Sequence, residues 1–70
     1  MDTERTLSAL ISQIRNVLGG VMINGFPNVP ANRVTILVRA GTKRRAHEIL
    51  NANKFPVAID LEEVTPELAH

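Results

Sequence analysis

The chain contains no cysteine, tryptophan or tyrosine, and only two phenylalanines among its 70 residues. Without cysteine there is no disulfide and no thiolate metal site, which fits a reducing compartment. The scarcity of aromatics removes the stacking platform on which most single-strand nucleic-acid binders rely. Long apolar runs are missing too. The opening "MDTERTLSALISQIRNVL" has no basic leader followed by an unbroken apolar core, so it reads neither as a signal peptide nor as a membrane span. No segment repeats and none is of low complexity. These absences lead us to expect a cytoplasmic protein without membrane contact.

Net charge is also nearly absent, since eight Lys and Arg face seven Asp and Glu for a formal +1. A global polycation that would seek nucleic acid or anionic lipid is thereby excluded. The distribution is uneven, however. From Arg33 to Lys54 there are six basic residues and one acid, Glu48, whereas Phe55 to His70 carries four acids (Asp60, Glu62, Glu63, Glu67) and no Lys or Arg. Such an asymmetry either closes within the fold or faces a partner. Residues 1–70 are expected to form a single small domain, whose core can supply only a few kcal/mol unaided, so help from a partner or a second copy is anticipated.

What is present begins with Leu7, Leu10, Ile11, Ile14, Val17 and Leu18, whose spacing makes one apolar stripe on an α-helix. Asp2 or Thr3 can cap its start, and Gly19-Gly20 can stop it. "VMIN" reads as a short, weak strand. "GFPNVPAN", with its glycine, asparagines and two prolines, reads as a loop. In "RVTILVRA", Val34, Ile36 and Val38 alternate with Arg33, Thr35, Leu37 and Arg39, giving a strand with one core face and Leu37 as an apolar exception on the other.

Thr42 is placed to cap a helix over 42–53, with Ala46, Ile49 and Leu50 inward. "VAIDLEE" alternates again, Val57, Ile59 and Leu61 against Ala58, Asp60 and Glu62. The order helix, weak strand, strand, helix, strand predicts a small two-layer α+β domain with two helices packed on one face of a short sheet. The last two strands flank a crossover of about seventeen residues, long enough for parallel pairing and equally compatible with antiparallel neighbours.

The stretch with most chemical content is "VRAGTKRRAHEIL". A strand end, a glycine and a helix start form a common anion-binding geometry, to which Lys43, Arg44 and Arg45 add three cations where the helix dipole mildly disfavours them. Arg39, Thr42, Lys43, Arg44 and Arg45 are therefore the candidate site for an anion or an acidic partner. The alternative is a solvated helix face, the usual fate of a short basic run. Arg33 and Arg39 share an outward face with Asp60 and Glu62, and opposite charges across strands stabilise one another if those strands are neighbours.

Nothing points to catalysis. His47 and Glu48 are adjacent on a helix and diverge by about 100 degrees. Ser8 and Ser12 lack a nucleophile elbow. Two histidines without cysteines or i, i+4 spacing do not make a metal site, and the P-loop pattern is missing. We expect no enzyme, no cofactor and no metal. "VTILVRAGTKRRAHEIL" resembles the strand and first helix of ribbon-helix-helix repressors, which implies a dimeric nucleic-acid-binding protein using the strand 33–39 and the helix 42–53. The stretch "PVAIDLEEV" departs from that family, since it reads as a strand where a second helix is required. The favoured expectation is a small protein-interaction or regulatory module, homodimeric or otherwise self-associating, or docking on another protein, through the outward sheet face of Thr35, Leu37 and Ala58 or through an open strand edge. The nucleic-acid reading is its alternative.

Overall fold

The computed structural model describes residues 3–64. Asp2 as a cap, and the tail carrying Glu67 and His70, lie outside the described residues. Helix α1 (Thr3–Leu18) is followed by a 3-10 turn (Gly19–Val21), strand β1 (Met22–Asn28), strand β2 (Arg33–Arg39), helix α2 (Lys43–Asn53) and strand β3 (Ala58–Val64). The sheet order is β1-β2-β3, with β1 antiparallel to β2 and β2 parallel to β3. The crossover through α2 therefore returns the chain beside the strand it left, and the choice between parallel and antiparallel neighbours is resolved as parallel.

The predicted order of elements and the two-layer packing hold. Leu7, Ile11, Ile14 and Leu18 of α1 meet Val34, Ile36 and Val38 of β2 and Ala46 and Leu50 of α2 in one buried cluster. Helix α1 lies over β1 and β2, and α2 lies against β2 and β3. Val17, expected within the apolar stripe, sits at its margin and is exposed, and Ile49 is only half-buried. Gly19 ends α1 with φ +57, the left-handed conformation expected of a residue that closes a helix. Lys54 plays the same part for α2, with φ 50 and its N–H donating to the Leu50 carbonyl. That helix accordingly stops before Pro56.

One segment corrects the sequence reading. "GFPN" is not loop; it continues β1 to Asn28, and the connection shrinks to Val29–Asn32. Asn32 adopts φ 53 and donates its N–H to the Val29 carbonyl at 3.1 Å, while the Asn28 side chain accepts from Ala31 N–H. Gly25 serves close packing here, not a turn. It pairs with Ile36 on the covered face, and a Cβ there would lie 2.9 Å from Ile11 Cγ2 and 2.8 Å from Met22 Cε. Pro27 is tolerated because β1 is an edge strand, where alternate amides need no ladder partner. A register shift between Met22 and Asn24 breaks the alternation that would have marked the strand.

Candidate functional site

Helix α2 begins where the chain turns after β2. Thr42 N–H donates to the Arg39 carbonyl at 3.1 Å, and the Thr42 carbonyl accepts the first helical bond from Ala46 N–H at 2.9 Å. Thr42 thus occupies the capping position, but its side chain does not cap: the hydroxyl donates backward to the Arg39 carbonyl. The first free amide of the helix, and one in the turn before it, are taken by another group. Glu63 Oε2, from the far end of β3, accepts from Gly41 N–H at 2.7 Å and from Lys43 N–H at 3.3 Å.

An acid of the C-terminal segment thus reaches the basic turn, closing another part of the charge asymmetry within the fold. The parallel pairing of β3 beside β2 brings Glu63 to the end of the sheet at which α2 starts. There a carboxylate meets both the positive end of the helix dipole and two backbone donors. The anion-binding geometry read from "AGTKRR" exists, and its occupant is part of the same chain.

Of the five residues expected to form one site, Thr42 turns its hydroxyl back to the Arg39 carbonyl, and the other four separate into three groups. Arg39 points away from α2, its Nε donating to the Gly20 carbonyl at 2.8 Å, and so bolts the end of β2 to the turn after α1. Lys43 and Arg44 project over the edge of β3, where with His47 they form one wall of an open groove of about 1000 Å³ whose other side includes Thr35, Asp60 and Glu62. Arg45 is exposed and outside this groove. Among the described residues, the side chains of Lys43, Arg44 and Arg45 make no hydrogen bond or ion pair.

Thr35, Leu37 and Ala58, the proposed association residues, do share one face of the sheet. Strand register aligns Ala58 with Arg33, Asp60 with Thr35 and Glu62 with Leu37, and on the other side Asn24 with Leu37 and Phe26 with Thr35. No described element covers this face. Thr35 and Leu37 are half-buried by their neighbours in the sheet, Ala58 is exposed, and Phe26 is 48 % exposed. Phe26 carries no strand signal in the sequence, because the glycine and proline beside it read as loop. Its diagonal placement relative to Leu37 makes the two an apolar pair across β1 and β2.

The charge asymmetry closes in part on this same face. Arg33 holds Asp60 with two bonds, Nε to Oδ2 at 2.9 Å and Nη2 to Oδ1 at 2.6 Å, the fork geometry that guanidinium and carboxylate favour. The hydrogen bond from Arg33 holds the Asp60 carboxyl below the usual carboxylate range; burial opposes it, and the Arg33 charge adds a lesser lowering. Arg39 and Glu62, expected to pair likewise, do not meet.

Among the described residues no cluster of three His, Cys, Asp or Glu is arranged to hold a metal, and no helix is long and apolar enough to cross a membrane. The ribbon-helix-helix resemblance ends at α2. Strand 33–39 is central and paired on both sides, so it is not free to form a two-stranded ribbon with a second copy, and Ala58–Val64 is a parallel strand instead of a helix. The chain belongs by architecture to the small two-layer α+β domains. It matches no family model, no curated protein and no solved structure.

Proposed function

We propose that the protein is a non-enzymatic interaction module, cytoplasmic and self-associating through the open face of its sheet. The observation that carries this reading is that Phe26, exposed, and Leu37, half-buried and diagonal to it in the strand register, share a sheet face that no described element covers. A sheet with one wet face normally alternates apolar inward and polar outward. Here the outward positions hold a phenylalanine, a leucine, a threonine and an alanine, with charges at their margins. Arg33 and Arg39 balance Asp60 and Glu62 in number, so two copies can meet face to face without net repulsion. The small core gives a reason for the contact, since association of the folded chain, and not of the unfolded one, adds to its stability.

The test is the mass in solution. Light scattering across a hundredfold dilution should show a dimer or higher oligomer at micromolar concentration, and Leu37→Glu should yield a monomer with its helical circular dichroism intact. A wild-type chain that stays monomeric throughout would overturn the self-association.

A further inference from the structure

The two edges of the sheet are not alike. Strand β1 carries Pro27 and a register shift, both of which blunt an edge against pairing. Strand β3 runs through Ala58–Val64 without proline or glycine, and among the described residues no strand pairs with its outer side. Its outer edge opens into the groove walled by Lys43, Arg44 and His47. We propose that this edge receives an extended segment of a partner protein bearing carboxylates at alternate positions, which adds to the sheet as a fourth strand.

Charge decides the occupant. A second copy pairing β3 to β3 along its whole length would set Asp60 against Glu62 and Glu63 against Ile59, and like charges directly opposed across strands are unfavourable. A phosphate backbone would meet the carboxylates of Asp60 and Glu62 along the sheet side of the groove. In an added strand, side chains alternate between the two faces with i and i+2 about 6–7 Å apart. One set would lie beside Thr35, Asp60 and Glu62, where small polar residues fit. The other set would lie under α2, within reach of the long side chains of Lys43 and Arg44. Those two cations make no ion pair among the described residues. Glu63 keeps its own carboxylate on the helix amides and leaves the cations unneutralised at their tips. Main-chain hydrogen bonds supply affinity in this mode of recognition, and the alternate charges supply specificity.

The inference rests on the interaction-module reading but not on self-association, and the two separate in one experiment. The probe is a labelled peptide of alternating glutamate and threonine, titrated with the full chain by fluorescence anisotropy, with an alternating lysine and threonine peptide of equal length and a random DNA duplex as comparisons. The glutamate peptide should bind, the lysine peptide at least tenfold more weakly, and amide exchange in Ala58–Val64 should slow in the complex. Lys43→Glu with Arg44→Glu should cut glutamate-peptide binding at least tenfold while leaving circular dichroism and oligomeric mass unchanged, and Lys43→Arg with Arg44→Lys should restore it. Leu37→Glu should change the mass and spare the peptide. Equal binding of both peptides, preference for the duplex, indifference to the double reversal, or unaltered exchange in β3 would each overturn the proposal.

Discussion

Strand β2 faces two different worlds. On its covered side Val34, Ile36 and Val38 are completely buried beneath the helices, whereas on the other side Arg33, Thr35 and Leu37 remain partly open. The same seven residues thus serve as the centre of the core and as the floor of a surface. What separates the two sides is the period-2 geometry of the strand together with the placement of both helices on one layer. Changes on the covered side should be read in stability, and changes on the open side in association or charge.

The largest effect is expected under α1. Ile14 is fully buried, so Ile14→Ala should cost about 2 to 5 kcal/mol by the usual large-to-small rule, measured by urea denaturation. A loss below half a kcal/mol would show that the covered face is not the core. Next comes Gly25→Ala, which adds a Cβ less than 3 Å from Met22 Cε and Ile11 Cγ2. Met22 Cε ends a flexible side chain and can shift, whereas Ile11 Cγ2 is fixed on a β-branched carbon and must move with its helix, so the cost should be about 1 to 3 kcal/mol from overpacking, with the fold retained.

On the open side the scale drops. Leu37→Glu should change folding stability by less than about 1 kcal/mol once the monomer is the reference, while abolishing association. The smallest effect belongs to Asp60→Asn. The Asp60 and Arg33 side chains are 44 % and 41 % exposed, so water screens their pair. Because the folded carboxyl titrates below its unfolded value, its contribution is fully present above the ordinary carboxylate range and is lost as pH falls through the folded value. Acid titration of stability should therefore show wild type and Asp60→Asn converging in strong acid and separating slightly at neutral pH. Equal curves throughout would mean that the ion pair contributes nothing.

How far each side was legible follows from the same contrast. The stripe of α1 and the alternation of β2 are runs of large aliphatic residues with one clear period, and both were readable directly. Strand β1 was only half readable. Its glycine, proline and asparagines imitate a loop, and the shifted residue Ile23 breaks the period at the point where Phe26 would otherwise have been assigned to the open face. The basic turn is visible in the sequence, but the acid that reaches it is not. Glu63 lies twenty or more residues from the amides it binds, and only the parallel placement of β3 beside β2 brings the two together. Local sequence contains no trace of that adjacency. Arg33 with Asp60 is legible because face alternation alone sets them on one side, whereas Arg39 escapes the same logic by reaching the Gly20 carbonyl in the turn before β1.

The Glu63 contact carries a consequence for how the molecule breathes. A capping group carried on a neighbouring helical turn would let each element open by itself. Here the cap of α2 is borne by the last described strand, so lifting the end of β3 leaves the Gly41 amide of the turn and the first helix amide, Lys43, without their acceptor, and melting the first turn of α2 strips a carboxylate of one donor. Helix start and strand end are thereby members of one opening unit, and their amides should exchange with solvent as a pair instead of in sequence order.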